Sequence, residues 1–363
     1  MTLASFYGGW AASWQMKLVF GLLSVSFVAA SLRGWYSFRP LVRAFYAAAA
    51  VWLGLFSFLF WASVICWIVY FASTIAGRGW ERQLIADAGF AAAVLATIYG
   101  IVNAAILRVS RTTVKLDNLP PQWHGRKAVL VSDLHLGHIR NYGFVRRVVD
   151  RIEALQPDIV FIAGDLYDGV AGDFERLALP WKGLLSPVQR QATMNRQQTG
   201  GNAKAAPHGV YYIAGNHEEF YAHAEYLPAL LKSGVRVLNN EKVEVDGLQI
   251  VGVHYRDATN PERYLSILQS LRLDRGRASV LLLHAPVRLP ISEAEGVSLQ
   301  LSGHTHGGQF FPWTLIVRRV WGKFAHGLQA FGKMQVYTTY GTGTWGPPLR
   351  VGTRPEIVLI TFA

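Results

Sequence analysis

The sequence predicts an α/β domain preceded by a membrane-spanning helical region, and three observations predict it. Of 363 residues, 51% are hydrophobic and only 16% charged, against about 25% charged in an ordinary soluble domain. That apolar excess sits in the first third of the chain. Beyond about Arg108, short Val- and Ile-rich runs recur, each closing on polar residues, and a helical periodicity separates the first two.

Three segments in the first third are candidates to cross a bilayer, which takes roughly 20 apolar residues. Met16–Leu32 starts at Lys17, with Trp10 and Trp14 before it and Trp35 and Tyr36 after it as interfacial residues. A cleaved signal peptide is the competing reading, disfavoured because two further apolar runs follow. Ala44–Ala76 carries no charge and no turn signal, so one tilted helix is expected rather than two short ones. In Ala88–Leu107, Asn103 is expected to face a neighbouring helix rather than lipid.

Arg33, Arg39 and Arg43 lie between the first two runs, and Arg108, Arg111 and Lys115 after the third. With three spans, both basic flanks fall on one side, which the positive-inside rule makes cytoplasmic. A fourth span would reverse the side of the soluble part. The organisation expected is a membrane region over 1–108, a linker over 109–127 containing Pro120 and Pro121, and a catalytic domain over 128–363 of an inner-membrane, multi-pass protein.

In the soluble part, Ala128–Ser132, Ile159–Ala163, Val210–Ala214, Ile250–Val253, Val280–Leu283, Val297–Leu301 and Ile357–Phe362 read as buried strands. Tyr142–Leu155 places Phe144, Val145, Val148, Val149, Ile152 and Leu155 on one helical face, and Glu262–Leu271 is a further helix. Strand, helix, strand implies α/β layering. Ser186–Ala206, rich in Gln, Asn, Ala and Gly without apolar periodicity, reads as an exposed loop, either a simple insertion or a lid.

The net charge of +12 suits nucleic acid, anionic lipid or a phosphorylated substrate. No Lys/Arg-rich run of the kind found in nucleic-acid arms is present, so no nucleic-acid partner is expected. The single cysteine, Cys66, lies in an apolar run and reads as a small buried hydrophobe. An intrachain disulfide and a zinc–thiolate site are excluded.

What ends each strand carries the chemistry. Asp133-Leu134-His135 follows the first, Gly164-Asp165-Leu166-Tyr167-Asp168 the second and Gly215-Asn216-His217-Glu218 the third. Val280–Leu283 is followed by His284, and Val297–Leu301 by Ser302-Gly303-His304-Thr305-His306. Ligands gather at the carboxyl ends of strands in α/β sheets. Each piece alone is commonplace. As an ordered set they offer carboxylates, an amide oxygen and imidazoles, a mixture suited to Mn²⁺, Fe or Zn²⁺.

The ordered set Asp133-x-His135, Gly164-Asp165-x-x-Asp168, Gly215-Asn216-His217-Glu218, His284 and Gly303-His304-x-His306 resembles the calcineurin-like metallophosphoesterases, over roughly residues 128–363. Gly307-Gly308-Gln309 and the closing Gly341–Pro348 resemble the subgroup with N-terminal transmembrane segments. The resemblance implies a four-layer α/β/β/α sandwich with two divalent cations between the sheet ends, activating a water to attack phosphorus. It implies that Asp133, His135 and His306 hold one cation and Asn216, His284 and His304 the other, with Asp165 bridging. His217 would be the catalytic histidine outside the ligand set, and Asp168 would fix a ligand's orientation.

Three residues stand outside the pattern. His254, where relatives of this subgroup commonly carry an acidic residue, reads as an incidental loop residue or a pocket wall. His138 reads as a solvated loop histidine and Arg140 as a phosphate contact on charge alone. Phe310–Val317, followed by Arg318, Arg319 and Lys323, fits core packing or a membrane surface that guides a lipid-linked phosphoester to the metals.

The expected function is a membrane-anchored phosphoester hydrolase acting on a lipid-linked phosphodiester or pyrophosphate, for example a UDP-linked acylated sugar. The alternative in the same class is a general or nucleotide phosphodiesterase. A silent membrane sensor is a different class. Against it, all seven ligand positions and His217 hold competent residue types. A transporter is disfavoured by the few polar residues within the spans.

Overall fold

A computed structural model describes residues 2–7, 13–185, 206–220 and 223–363. The expected loop over Ser186–Ala206 and the interfacial Trp10 lie outside these residues, save Ala206. The described chain divides into two compact units, Met1–Ala105 with Gly346–Val351, and Ile106–Trp345 with Gly352–Ala363.

The first unit is helical: α1 (Thr2–Tyr7), α2 (Trp14–Tyr36), α3 (Pro40–Ile75) and α4 (Arg82–Ala105). The last three are long and apolar enough to cross a membrane. The run expected as one tilted helix is one helix, α3, of 36 residues; at 1.5 Å per residue it is about 54 Å long, well beyond a bilayer's roughly 30 Å hydrocarbon core. Cys66 is buried against Phe6 and Ala86, as a small hydrophobe should be. Asn103 is buried, and one of its partners is backbone. Its Nδ2 donates to the carbonyl of Arg350 at 2.9 Å, and the Arg350 N–H donates to the Gly100 carbonyl at 2.9 Å. A non-adjacent stretch of backbone thus bonds the Asn103 amide of α4.

The second unit holds two six-stranded sheets. The first runs β1 (Arg108–Val114), β12 (Glu356–Phe362), β2 (Lys127–Val131), β3 (Ile159–Ala163), β4 (Val210–Ile213), β5 (Arg236–Val237). The second runs β10 (Gly327–Phe331), β11 (Met334–Thr338), β9 (Leu299–Ser302), β8 (Ser279–Leu282), β7 (Leu248–Gly252), β6 (Glu241–Val245). The strands that lead to the motifs, β2, β3 and β4 in one sheet and β8 and β9 in the other, pair in parallel.

Strand alternation builds the layers. Ala128 and Leu130 of β2 and Phe161 of β3 join Ile250, Val280, Leu282 and Leu299 in the core between the sheets. Val129, Val131, Val160 and Ile162 point the other way, onto α5 (Tyr142–Leu155) and α7 (His223–Lys232), which follows α6 (Phe174–Ala178). Val251, Leu281 and Leu283 pack outward against α8 (Tyr255–Thr259), α9 (Pro261–Leu271) and α10 (Leu289–Ala294). This is the four-layer sandwich. The helix α5 matches its expected span, capped by Asn141, whose side chain accepts from the Gly143 N–H at 3.0 Å.

The expected linker over 109–127 is not one. Its first part is β1, a strand paired in parallel with β12 from Arg108↔Glu356 to Val114↔Phe362. Its polar sequence RVSRTTV suits an edge position, which alternation alone does not separate from a linker.

Glu356 ties this edge together. Its fully buried carboxylate accepts from Ser110, from Thr339 Oγ1 at 2.9 Å and from the Tyr340 N–H at 2.9 Å, and lies 3.1 Å from His326 Nε2. Burial pushes this carboxyl up, but His326, Ser110 and Tyr340 outweigh burial and hold it at about 2, below its ordinary 4.5. A depressed acid stabilises the fold above its unfolded value and loses that contribution as pH falls towards the folded value, here from about 4.5 to about 2, a term on the order of 3 kcal/mol. Replacing Glu356 with Gln should lower the melting temperature at neutral pH, and the gap from the parent protein should close as pH is lowered through this window. A gap constant from pH ~6 to ~3 would show that ionisation of Glu356 does not contribute.

Candidate metal centre

Five strand ends deliver the motif residues to one place. Asp133 and His135 follow β2, Asp165 follows β3 and Asn216 follows β4; His284 follows β8, and His304 and His306 follow β9. The first sheet supplies both carboxylates and the second sheet three imidazoles. Turning a side chain back across a strand end requires a sharp change of backbone direction. Asp133, His135, Asp165, His304 and His306 all have φ between +48° and +69°, a region costing a non-glycine residue on the order of 1–3 kcal/mol. Such strain persists only where the surrounding core over-determines it.

The donor atoms cluster in two adjoining sets. In one, His306 Nε2 lies 3.3 Å from Asp133 Oδ1 and 3.1 Å from His135 Nε2. In the other, Asn216 Oδ1 lies 2.8 Å from His304 Nδ1 and 3.1 Å from His284 Nε2. The carboxylate of Asp165 reaches both: its Oδ2 is 3.2 Å from His284 Nε2 and 3.8 Å from His135 Nε2. Donors bound to one cation at about 2.0–2.2 Å sit roughly this far apart along the edges of a coordination shell. Imidazole nitrogens turned on one another, and on carboxylates, fit a pair of divalent cations. The absence of sulfur among the donors narrows the metal to one that accepts nitrogen and oxygen.

The supporting contacts fix each donor. His284 Nδ1 donates to the Ala163 carbonyl at 2.7 Å, which turns Nε2 towards the cluster. Asp168 Oδ1 lies 3.2 Å from His135 Nδ1, on the ring edge away from His306. Asp133 accepts from the His304 N–H at 3.0 Å, and Asp165 from the His217 N–H at 2.9 Å. Gly303 and Gly215 leave room for these carboxylates: a Cβ at Gly303 would collide with Ser132 and Asp133, and one at Gly215 with Asp165.

His217 adjoins the donor sets and also groups with His135 and Asp168, its Nδ1 3.9 Å from Asp168 Oδ1. It is buried, its Nδ1 lies 3.3 Å from the Asp168 carbonyl, and its ring stands edge-on to His135 at 4.6 Å between centroids.

The electrostatics are those of a dry, crowded site. Burial drives the Asp133 carboxyl up. Burial acts on Asp165 too, but the charge of His284 and its hydrogen bond overcome it and hold Asp165 well below the usual range. Burial lowers His284, yet Asp165 and Asp133 raise it to about 9. Burial and the neighbouring His284 lower His304 to about 4. Protons divide unequally among these donors because like charges cannot share the cavity without a counter-charge.

Glu218 had no role in the sequence reading beyond completing a motif. It is a fully buried carboxylate whose Oε2 accepts from the Gly215 N–H at 2.7 Å and the Asp165 N–H at 3.0 Å, and whose Oε1 accepts from the Tyr167 N–H at 2.9 Å. It staples the β4 loop to the β3 loop. The other outliers are also resolved. His138 is buried rather than solvated. Arg140 is buried over the ring of Phe144 at 4.8 Å and donates to Thr344 Oγ1. His254 Nε2 lies 3.3 Å from Glu219 Oε1, and Arg256 pairs with the same carboxylate. Tyr255, not singled out in the sequence, packs its ring 5.7 Å from those of both His284 and His304. Only its strand-end position signals it.

A family profile described as Calcineurin-like phosphoesterase matches residues 126–308. The chain belongs to the calcineurin-like phosphoesterase family. It is 30% identical over 271 residues to an uncharacterized metallophosphoesterase of Campylobacter jejuni, covering 73% of this chain and 66% of that one. It is 31% identical over 281 residues to an uncharacterized metallophosphoesterase of Aquifex aeolicus, covering 74% of this chain and 97% of the relative. A transmembrane protein with metallophosphoesterase domain from Danio rerio is 29% identical over 303 residues, covering 77% of this chain and 65% of the relative. Against the Campylobacter and zebrafish relatives, this calcineurin-like chain thus spans just under two thirds of their length. Membership makes the chain a metallophosphoesterase-family protein with candidate divalent-metal donors, and its apolar helices associate it with membrane.

Replacing Glu218 with Gln puts an amide where three N–H groups converge, so one backbone donor loses its acceptor. Mn²⁺ affinity, measured by titration calorimetry on detergent-purified protein, should fall about 10–100-fold, as for other residues that orient metal ligands. Unchanged affinity would show that the staple does not set donor geometry.

Proposed function

We propose that the protein is a two-metal phosphoester hydrolase anchored in the inner membrane. The observation that supports this most directly is the meeting of seven donors from five strand ends at separations of 2.8–3.8 Å around a shared carboxylate. Asp133, His135 and His306 would hold one cation, Asn216, His284 and His304 the other, and Asp165 would bridge. Divalent cations there would supply Lewis-acid charge at the phosphoryl oxygens and lower the pKa of an attacking water, with Mn²⁺, Fe or Zn²⁺ compatible with the donors. Asn216 contributes a neutral oxygen and so limits the negative charge facing an anionic substrate. His217, beside Asn216 in sequence and outside both donor sets, is placed to give a proton to the leaving oxygen. The Asp168 carbonyl holds its Nδ1, which directs proton transfer to Nε2.

A membrane-associated, lipid-linked phosphodiester or pyrophosphate is the substrate class this reading favours. The segment after the last donors forms α11 (Trp313–Trp321). It exposes Trp313, Leu315, Ile316 and Val320, each 46–68% exposed, beside Arg318 and Arg319. An apolar helix surface with basic neighbours suits an anionic lipid boundary. At its far end the Trp321 ring packs 5.9 Å from that of His304. The basic flanks of the candidate spans favour a cytoplasmic catalytic domain. A nucleotide or general phosphodiesterase is the alternative substrate reading.

A panel of bis-aryl phosphate, aryl phosphate and lipid pyrophosphates on detergent-purified protein with added Mn²⁺ tests this. Asp165→Asn should abolish turnover, and His217→Ala should lower kcat by about 10²–10⁴; activity unmoved by either would overturn the site assignment. In bilayers, joint replacement of Phe311 and Trp313 by Ser should reduce turnover of a lipid substrate and spare a small soluble diester. Equal loss on both would remove the lipid part alone.

A further inference from the structure

Two large aromatic side chains stand exposed on the buried catalytic candidate His217. Phe220 is 52% exposed and Trp345 56% exposed, while His217 is 8% exposed. Their rings meet that of His217 edge-on, with centroids at 5.3 Å for Phe220 and 5.6 Å for Trp345. Phe220 lies on the turn His217–Phe220, one turn from the histidine itself.

Trp345 is held in a way its exposure does not require. Its N–H donates to Gln309 Oε1 at 2.8 Å, and its carbonyl accepts from Gln309 Nε2 at 2.9 Å. One buried side-chain amide therefore clamps both backbone polar groups of this residue. Gln309 is itself fixed: it is 6% exposed, and its carbonyl accepts from Thr353 Oγ1 at 2.7 Å. The preceding residue, Thr344, accepts from the guanidinium of Arg140. A fixed backbone makes the indole a preformed surface, so a group that packs on it loses less entropy than one ordering a free loop. An exposed indole costs solvation unless something covers it.

We infer that Phe220 and Trp345 form the walls of a leaving-group subsite that takes a planar, apolar-faced ring. The inference rests on the reading of the protein as a phosphoester hydrolase with His217 as proton donor. If His217 protonates the leaving oxygen, the group on that oxygen lies beside His217, where among the described residues these two exposed rings meet it. Indole and phenyl faces favour stacked or edge-on aromatic partners over small polar alcohols. The subsite thus selects for what departs, independently of how the phosphoryl group is held.

The test compares phenylphosphonate with methylphosphonate, which share the head group and differ in the ring. Binding to Mn²⁺-loaded full-length protein is measured by calorimetry, a readout that does not require turnover. The parent protein should prefer phenylphosphonate by about tenfold. Trp345→Ala should bring that ratio close to one, and Trp345→Phe should keep most of it. The melting temperature of each variant shows that it is folded, and Phe220→Ala gives an independent second wall to test. A phenyl-to-methyl ratio unchanged in both alanine variants overturns the subsite while leaving the hydrolase reading intact. Failure of the parent protein to bind either phosphonate overturns the hydrolase reading and the subsite with it.

Discussion

Two carboxylates and four imidazoles share a cavity that water barely enters, and the architecture around them is organised by that crowding. Asp133 and His284 are fully buried and Asp165 and His135 2% exposed. In such surroundings an unbalanced charge costs several kcal/mol, so each ionisation depends on its neighbours. That is why burial drives Asp133 up while the imidazoles hold Asp165 down, and why His284 and His304 are displaced in opposite directions. Cations would relieve the two carboxylates and give every nitrogen lone pair a partner. The donor set is therefore unfavourable as a bare core and well matched as a metal cradle.

Holding donors this close also opposes the backbone. Five of the seven donor residues adopt left-handed φ, and the neighbouring N–H groups must be satisfied without water. The protein answers with carboxylates that accept from main chain: Asp133 from His304, Asp165 from His217, and Glu218 from three separate loop amides. All but the Gly215–Glu218 bond join segments more than 50 residues apart in sequence, so donor geometry is set by tertiary structure rather than by any one loop. The rigid part is the core between the sheets, where Phe161, Leu130 and Val280 are fully buried.

How much of this the sequence shows follows from what each residue faces. Strands buried on both faces, such as β2 and β3, are continuous apolar runs and are legible. Edge and hairpin strands are not: RVSRTTV in β1 and EKVEV in β6 bury little, and β5 is two residues long. The candidate metal donors are legible as a set because each follows a strand in a fixed order. Glu218, Gln309 and Tyr255 are not, since their roles are to touch residues 50 or more positions away or on another strand's loop, or to clamp a backbone that only the fold brings near. Asn103 shows the same limit from the helical unit: its burial is legible, but its bond to a carbonyl 247 residues on is not.

The polarity of the centre and the apolarity of its rim are connected. Electrostatic interactions at phosphorus strengthen as water is excluded, and rings exclude water without adding charges that compete for the cations. Tyr255 against His284 and His304, Trp321 against His304, and Phe220 and Trp345 against His217 together place an aromatic surface beside imidazoles of both sheets. A carboxylate in any of these places would repel an anionic substrate, and a lysine would compete with the metals for it. Aromatic side chains do neither, and in the proposed subsite they would offer the departing group a surface of its own. In the proposed hydrolase, a polar centre ringed in this way would separate two tasks that one set of charges cannot perform together: holding the phosphoryl group, and choosing what it is attached to.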